Sequence, residues 1–265
     1  MSGLSVSAVH SGSASSPQLI LGPSLGTAAP LWDAAADLLG SSFSILSWDL
    51  PGHGLSRPAT EPFTLADLAG AVLRLADEQG ADRFYYAGVS LGGAVGVELA
   101  LRHPDRLLAF STICSLPRFG EPSAWHERAA VVRAQSTAAL VVPSAGRWFG
   151  PAFVAMNPRV SSALLHALSD ADDESYALCC EVLADYDARA ELASIATSLL
   201  AISGEFDTVA TTQAVTEFAA AVQNGRAVEI ADAGHLAPAE QPGRVAELLS
   251  AFFTNPAVTK EQNHG

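Results

Sequence analysis

The sequence predicts an α/β fold: a mostly parallel, doubly wound sheet with an inserted helical cap. Short apolar runs alternate along the chain with segments whose apolar residues recur at helical spacing. One long Ala-rich, helix-prone stretch interrupts this alternation. Repeated strand–helix units place helices on both faces of a parallel sheet. With 265 residues, of which 49% are hydrophobic, the chain can bury one large core that carries an insertion.

The first part of the chain supplies most of the predicted sheet. Compact apolar runs predict strands over residues 18–22, 43–48, 83–87 and 107–113. Apolar residues at helical spacing predict helices over residues 31–39, 65–79 and 94–101. Before the first of these strands, the Ser/Gly-rich stretch from Ser11 to Ser16 predicts a fraying turn.

Two further strand–helix units close the predicted sheet. Strands are expected over residues 199–203 and 227–230, and helices over residues 211–222 and 244–253. The segment from Thr254 to Gly265 is polar and turn-rich, and we expect it to fray.

The interruption in the alternation runs from about Pro117 to Ala196. Because its two ends fall between predicted strands, we interpret residues 117–196 as a helical cap inserted into a core formed by residues 1–116 and 197–265. The alternative is a set of extra core helices packed on the sheet, because Ala/Leu periodicity does not say which surface a helix covers.

Composition restricts the partners. Fourteen basic and 28 acidic residues give a formal charge of −14, which opposes binding to nucleic acid or to an anionic membrane surface. The sequence shows neither a signal-peptide pattern nor a long apolar span, so we expect a cytoplasmic protein. The three cysteines, Cys114, Cys179 and Cys180, are expected to be reduced packing residues. Nothing in the chain specifies an oligomeric state.

The segment from Gly88 to Gly92 reads Gly-Val-Ser-Leu-Gly and joins a predicted strand to a predicted helix. A strand-to-helix turn this tight leaves little room for a Cβ two residues before and two residues after the serine. The turn lifts the Ser90 hydroxyl above the sheet, and the N–H groups of the following helix favour negative charge there. Ser90 is therefore predicted to be a catalytic nucleophile, the alternative being a Gly-rich loop.

A serine nucleophile needs a base, and the base needs an acidic partner. His235 directly follows the last predicted strand, and Asp207 directly follows the strand before it. Both therefore lie at the carboxyl edge of the parallel sheet, where ligands bind. His53 is the strongest rival base, although its Gly/Pro neighbours favour a structural loop. Rival acids for the partner of His235 are Glu205 and Asp232.

An acyl-transfer serine also needs two N–H donors for the oxyanion. We predict the amide of Leu91, directly after the serine, and the amide of Leu25 in the loop after the first predicted strand, with Ser24 as the second choice. A plain Gly/Pro turn is the alternative for that loop. No spacing of His, Asp, Glu or Cys is typical of a metal site, so no metal is predicted.

The sequence resembles the α/β-hydrolase superfamily from about Gln18 to Phe253. The matching segments are Ser24–Thr27 with Leu31–Asp33, Trp48–Ser56, Gly88–Gly93, Gly204–Asp207 and Asp232–Leu236. Within the superfamily, the Ser-Leu-Gly-Thr segment and the cap segments Trp125–Arg128, Val132–Arg133 and Arg147–Phe149 resemble the 3-oxoadipate enol-lactonases. The chain departs from that pattern at Pro23, at Ala134–Ser136, and at its amino end, which offers one strand fewer.

The narrower resemblance implies hydrolysis of 3-oxoadipate enol-lactone to 3-oxoadipate, in the β-ketoadipate pathway of aromatic catabolism, with no cofactor. This small substrate is an anion, so its capture by an acidic protein requires a local cation. We predict that Arg133 or Arg128 holds the carboxylate, while Ser24, Trp125 and Trp148 contribute to the pocket. The alternative for each arginine is a solvated surface position.

Other functions fit the same residues. A carboxylesterase or a C–C bond hydrolase would keep Ser90, Asp207 and His235 and change the substrate. A non-catalytic small-molecule receptor would keep the fold and turn its ligand over slowly or not at all. An intact Ser/Asp/His set favours the enzymes.

Overall fold

The computed structural model describes residues 4–255 and contains one seven-stranded sheet in that range. The strands are β1 (Ala8–Gly12), β2 (Gln18–Gly22), β3 (Ser44–Trp48), β4 (Phe84–Val89), β5 (Leu107–Ile113), β6 (Leu199–Gly204) and β7 (Gly225–Ile230). Their spatial order is β1-β3-β2-β4-β5-β6-β7. All neighbouring pairs are parallel except β1 and β3. The predicted fold class is confirmed.

Helices follow most of the strands. The helices that flank the sheet are α1 (Asp33–Leu39), α2 (Leu65–Glu78), α3 (Leu91–Arg102), α9 (Thr212–Ala221), α10 (Ala237–Glu240) and α11 (Pro242–Thr254). Between β5 and β6 lie α4 (Pro122–Gln135), α5 (Val141–Trp148), α6 (Phe153–Met156), α7 (Pro158–Asp170) and α8 (Asp173–Asp185). No helix within residues 4–255 combines the length and apolarity that crossing a bilayer requires.

The central strands are the most buried part of the molecule. All residues of β2 and β3 are buried, which explains why these strands appear in the sequence as continuous apolar runs. Large side chains such as Trp32, Trp48 and Phe110 fill the space between the sheet and its helices. This packing fixes the carboxyl ends of the parallel strands, from which the candidate site is built.

The amino end differs from the sequence-based expectation. Ala8–Gly12 forms an antiparallel edge strand against β3, so the prediction that the chain lacks this strand is wrong. Its residues are half-buried or exposed and show no apolar alternation, because main-chain pairing rather than burial holds the strand. The predicted fraying turn at 11–16 is correspondingly shorter, since Ser11 and Gly12 pair with β3.

The five helices between β5 and β6 pack mainly on one another. Helix α4 lies along α8, and α7 contacts both α5 and α6. This arrangement favours a separate helical layer over extra core helices, and the division into core and cap at 117 and 196 stays a prediction. At the other end of the chain, Thr254 is the last residue of α11. The rest of the predicted fraying tail, from residue 256 onwards, lies outside the described residues.

Candidate active site

Ser90 occupies a strained turn between β4 and α3. Its backbone has φ 53° and ψ −115°, a conformation that costs a non-glycine residue about 1–3 kcal/mol. Three hydrogen bonds hold it there: its N–H donates to the Ile113 carbonyl at 2.9 Å, and its carbonyl accepts from the Ala94 N–H at 3.0 Å and from the Ser115 hydroxyl at 2.8 Å. Such strain persists where the surrounding structure fixes it, and it is typical of functional positions.

The two flanking glycines are required sterically. A Cβ on Gly88 would lie 2.2 Å from the Gly92 carbonyl oxygen, and a Cβ on Gly92 would lie 2.6 Å from the Pro23 carbonyl oxygen. Both contacts are with backbone, which cannot move aside without disturbing the turn. The sequence-based steric reason for the Gly-x-Ser-x-Gly pattern is therefore present in the structure.

His235 and Asp207 are joined by a buried hydrogen bond. They follow β7 and β6, and Nδ1 of His235 lies 2.9 Å from Oδ2 of Asp207. The other carboxylate oxygen accepts the Val209 N–H at 2.7 Å. Burial works to raise the pKa of Asp207, but His235 and the N–H groups of Val209 and Ala210 stabilise the carboxylate, and its net pKa is lowered. This carboxylate can fix the ring orientation and tautomer of His235.

Ser90 and His235 line the same cavity, which has a volume of about 320 Å³. The lining residues come from the serine turn, the loop after β2, the loops after β6 and β7, and the segment between β5 and β6: Ser24, Leu25, Ser90, Phe119, Gly120, Glu121, Ala124, Trp125, Arg128, Arg147, Trp148, Thr208, Val209 and His235. Within residues 4–255, no hydrogen bond joins Ser90 to His235. Nucleophile–base hydrogen bonds are often long without substrate and shorten when it binds.

The loop after β2 leaves one amide available at the cavity. The Ser24 N–H donates to the Thr27 hydroxyl, the Gly26 N–H to Nε2 of His53, and the Thr27 N–H to the Ser24 carbonyl. In the described part of the chain, the Leu25 amide has no intramolecular acceptor, and neither does the amide of Leu91 at the start of α3. This pattern favours Leu25 over Ser24 as the second oxyanion donor.

His53 supports that loop and lies outside the cavity lining. Its Nδ1–H donates to the Pro51 carbonyl at 2.8 Å, while Nε2 accepts the Gly26 N–H at 3.3 Å, an arrangement that requires the neutral ring. Complete burial lowers the pKa of His53 to about 4. This rival base therefore has a structural role. The rival acids Glu205 and Asp232 lie at the surface. A carboxylate oxygen of Glu205 accepts a hydrogen bond from the Asp232 N–H.

We expect His53 to make stability depend on pH. The folded state keeps the ring neutral down to pH of about 4, whereas the unfolded chain protonates it near 6.5. Its contribution is therefore complete above pH 6.5 and falls by about 3 kcal/mol as the pH drops to 4. Urea unfolding between pH 4 and 8 should show a weaker pH dependence for His53→Gln than for wild type. The exposed His166, changed to Gln, serves as control, and equal slopes in all three proteins would contradict this role.

Two arginines face the cavity without a carboxylate partner in residues 4–255: Arg128 on α4 and Arg147 on α5. The Arg128 guanidinium stacks over Trp125 at 4.9 Å. Partial burial lowers the pKa of Arg147, and the nearby positive charge of Arg128 lowers it further. An anion between two such groups would relieve their repulsion. Trp148, predicted to line the pocket, also borders this space.

The structure corrects the prediction for Arg133. Its guanidinium binds Glu174 and Glu181, each at 2.6 Å, and it does not line the cavity. Arg133 lies five residues after Arg128 on α4, so at 3.6 residues per turn the two side chains point about 140° apart. Of the two arginines on α4, Arg128 lines the cavity and Arg133 does not, and Arg147 on α5 lines it as well.

Cys114 lies beside the histidine–aspartate pair. The ligand atoms of Cys114, Asp207 and His235 are all within 4.8 Å of one another, the kind of cluster that could hold a metal ion. However, Nδ1 of His235 is already bonded to Asp207, and burial raises the pKa of the Cys114 thiol well above its usual range. A metal ligand must be a thiolate, so the donor set favours a catalytic pair over a metal centre. Cys179 and Cys180 are buried, free thiols.

Glu240 was not found by sequence reasoning. Its carboxylate accepts the N–H groups of Gly150 and Gly234, and thereby touches the loop that carries His235. A single glutamate has no periodic or motif signal, and its partner Gly150 is 90 residues away in sequence. Arg147 belongs to a cap segment singled out in the sequence, but its position at the cavity depends on how the cap packs.

A strained serine at the carboxyl edge of a mostly parallel sheet, sharing a cavity with a histidine bonded to an aspartate, defines a hydrolase of the α/β class. The model of the alpha/beta hydrolase family matches residues 9–248, and the chain belongs to this family.

Several relatives are enol-lactonases. Over 242 residues, the chain is 32% identical to 3-oxoadipate enol-lactonase 2 of Acinetobacter baylyi, covering 91% of this chain and 90% of the relative. It is 30% identical over 250 residues to 3-oxoadipate enol-lactonase 1 of the same organism, covering 94% and 93%. The crystal structure of the enol-lactonase from Burkholderia xenovorans LB400 superposes with a TM-score of 0.90 at 32% identity, covering 94% of this chain and 96% of that one.

Proposed function

We propose that this protein opens 3-oxoadipate enol-lactone to 3-oxoadipate through an acyl-enzyme on Ser90. The observation that carries the proposal is the composition of the cavity. It combines a nucleophile and base with two arginines that lack a carboxylate partner among the described residues. The Acinetobacter relatives, which are named as 3-oxoadipate enol-lactonases, support the same substrate. The alternatives are a carboxylesterase or a C–C bond hydrolase acting on another small carboxylate.

In the proposed mechanism, His235 takes the Ser90 proton as the serine oxygen attacks the lactone carbonyl. The amides of Leu25 and Leu91 stabilise the tetrahedral oxyanion, and Asp207 stabilises the imidazolium that forms on His235. Collapse of the intermediate breaks the ring C–O bond and releases an enolate. This enolate takes the proton from His235, which returns the ring to its neutral form, and then tautomerises to the ketone. Since an enolate is a better leaving group than an alkoxide, ring opening does not need complete protonation.

Water completes the cycle. His235 removes a proton from a water molecule, the resulting hydroxide attacks the acyl carbonyl, and the Ser90 oxygen leaves and recovers the proton from His235. The products are the free enzyme and a new carboxylate at the former lactone carbonyl. No redox step occurs, so the residues of the chain and one water molecule balance the reaction.

We propose that Arg128 and Arg147 hold the carboxylate that the lactone already carries. The molecule as a whole is acidic, with a formal charge of −14, so the long-range field opposes an anionic substrate. Two guanidinium groups in a partly buried space provide the opposite local field. Trp125 and Trp148 would flank the substrate, and Ser24, in the loop that carries the Leu25 amide, would also border it. The segment 117–196 would thereby act as a substrate-binding cap.

The test compares two substrates under steady-state conditions. We expect kcat/KM for the enol-lactone to exceed kcat/KM for neutral p-nitrophenyl acetate by at least tenfold. Arg128→Gln and Arg147→Gln should each raise KM for the enol-lactone about tenfold, because a charge-assisted contact is lost. Neither substitution should change KM for the neutral ester, and Arg133→Gln, the matched change outside the cavity, should leave both values unaltered.

The other outcomes identify the alternatives. A higher kcat/KM for p-nitrophenyl acetate, with no effect of the arginine variants, would indicate a carboxylesterase. Hydrolysis of a dienoate C–C bond without lactone opening would indicate a C–C bond hydrolase. Tight binding of the lactone with no burst of product would indicate a receptor.

A further inference from the structure

Glu240 is a buried carboxylate that the proposed mechanism does not use. It ends α10, five residues after His235, and its side chain accepts two backbone N–H groups. Oε1 accepts the Gly234 N–H at 2.8 Å, and Oε2 accepts the Gly150 N–H at 2.7 Å. One carboxylate therefore joins the loop that carries His235 to the end of the segment that brings Arg147 and Trp148 to the cavity.

The two joined segments touch backbone to backbone. A Cβ on Gly234 would lie 2.8 Å from the Gly150 nitrogen and 2.8 Å from the Phe149 carbonyl carbon. The Leu236 N–H also donates to the Trp148 carbonyl at 3.1 Å. Because the contact is this close, a shift of either segment moves the other. Glu240 accepts one amide from each side of the contact.

The hydrogen-bond partners of Glu240 match a negative charge. Gly150 and Gly234 each donate one N–H, to different oxygens, and an ionised carboxylate offers only acceptors. Burial raises the pKa of Glu240, and the N–H donors and the nearby His235 offset only part of this shift.

We infer that Glu240 is a positioning residue for the proposed hydrolysis, which holds His235 in register with the Arg147–Gly150 segment. The inference rests on the proposed roles of Ser90 and His235. The variants below leave unaltered Asp207 after β6, Cys114 after β5, and Arg128 and Arg147 across the cavity.

The decisive variant is Glu240→Gln. The glutamine amide offers one oxygen and one NH₂. It therefore cannot replace both carboxylate oxygens, of which one accepts the Gly234 N–H and the other the Gly150 N–H. With p-nitrophenyl acetate and with the enol-lactone, we expect kcat to fall about 10-fold to 100-fold, because a displaced base loses its alignment. KM for the neutral ester should stay within about threefold, since the change affects the chemical step.

Two further variants separate positioning from general structural damage. Glu205→Gln removes an exposed carboxylate that accepts the Asp232 N–H in the loop of His235, and it should leave kcat unchanged. Glu240→Asp keeps a carboxylate but is one methylene too short to span Gly150 and Gly234. It should therefore also lower kcat. Thermal unfolding of each variant establishes that the measured protein is folded.

The inference is overturned by a folded Glu240→Gln protein whose kcat is within twofold of wild type. If Glu240→Gln does not fold, Glu240→Asp decides, and a kcat within twofold of wild type overturns the bridging role. The ester assay keeps this test separate from the substrate proposal, because failure on the enol-lactone alone leaves the ester results valid. A wild-type chain that hydrolyses neither substrate and does not react with a fluorophosphonate overturns both.

Discussion

Ser90→Ala is expected to lower kcat by about 10⁴-fold to 10⁶-fold while leaving the fold intact. The substitution removes the atom that forms the acyl-enzyme, and loss of a serine nucleophile has an effect of this order. Residual catalysis would come from the oxyanion amides and from binding alone. Stopped-flow and steady-state rates with p-nitrophenyl acetate measure the loss, and thermal unfolding establishes that the protein is folded.

A matched serine tests the specificity of this effect. Ser162 lies exposed on α7, away from the residues that line the cavity, and Ser162→Ala should retain full activity. Stoichiometric labelling by a fluorophosphonate should occur in wild type and in the Ser162 variant and be absent from the Ser90 variant. If Ser90→Ala retains more than one-tenth of wild-type kcat, an acyl-enzyme on this residue is excluded.

Asp207→Asn is expected to lower kcat by about 10⁴-fold, the second largest effect. The carboxylate accepts a hydrogen bond from Nδ1 of His235 and so leaves Nε2 free to act as a base. An asparagine can donate its NH₂ to Nδ1, which favours the tautomer with the proton on Nε2. Nε2 would then face Ser90 as an N–H donor and could not accept the serine proton. Because the size of the side chain hardly changes, the loss should appear in kcat far more than in stability.

The control for this change is Asp187→Asn. Asp187 forms an exposed ion pair with Arg189, and its loss should leave kcat unchanged because it touches neither the cavity nor His235. The pH profile of the Asp207→Asn variant should also differ from that of wild type, since the imidazolium loses its charged partner. A kcat within tenfold of wild type would show that His235 does not depend on this carboxylate.

The residues of the proposed triad could be predicted because each one sits next to a strong local signal. Ser90 follows an apolar run and has glycines two residues before and after it, and His235 and Asp207 follow predicted strands. Parallel strands bring their carboxyl ends to one edge, so the position along the chain already implies the position in space. The hydrogen bond between His235 and Asp207 follows from that topology.

Prediction failed where main-chain pairing or side-chain direction decides the outcome. β1 has no apolar alternation, because an edge strand is held by hydrogen bonds to β3 that any sequence can make. Arg128 and Arg133 both lie on α4, but the turn of that helix sends Arg133 to Glu174 and Glu181. A difference of this kind depends on which face of the helix meets the cavity.

The sequence by itself determined the fold class, the strained serine turn and the residues that can serve as its base and acid. These features depend on local sterics and on the periodicity of apolar residues, which are properties of neighbouring positions. The tertiary structure decided which arginines face the cavity, that Leu25 rather than Ser24 has the available amide, and that Glu240 joins Gly150 to Gly234. These features depend on contacts between distant segments, and such contacts exist only after the chain has packed.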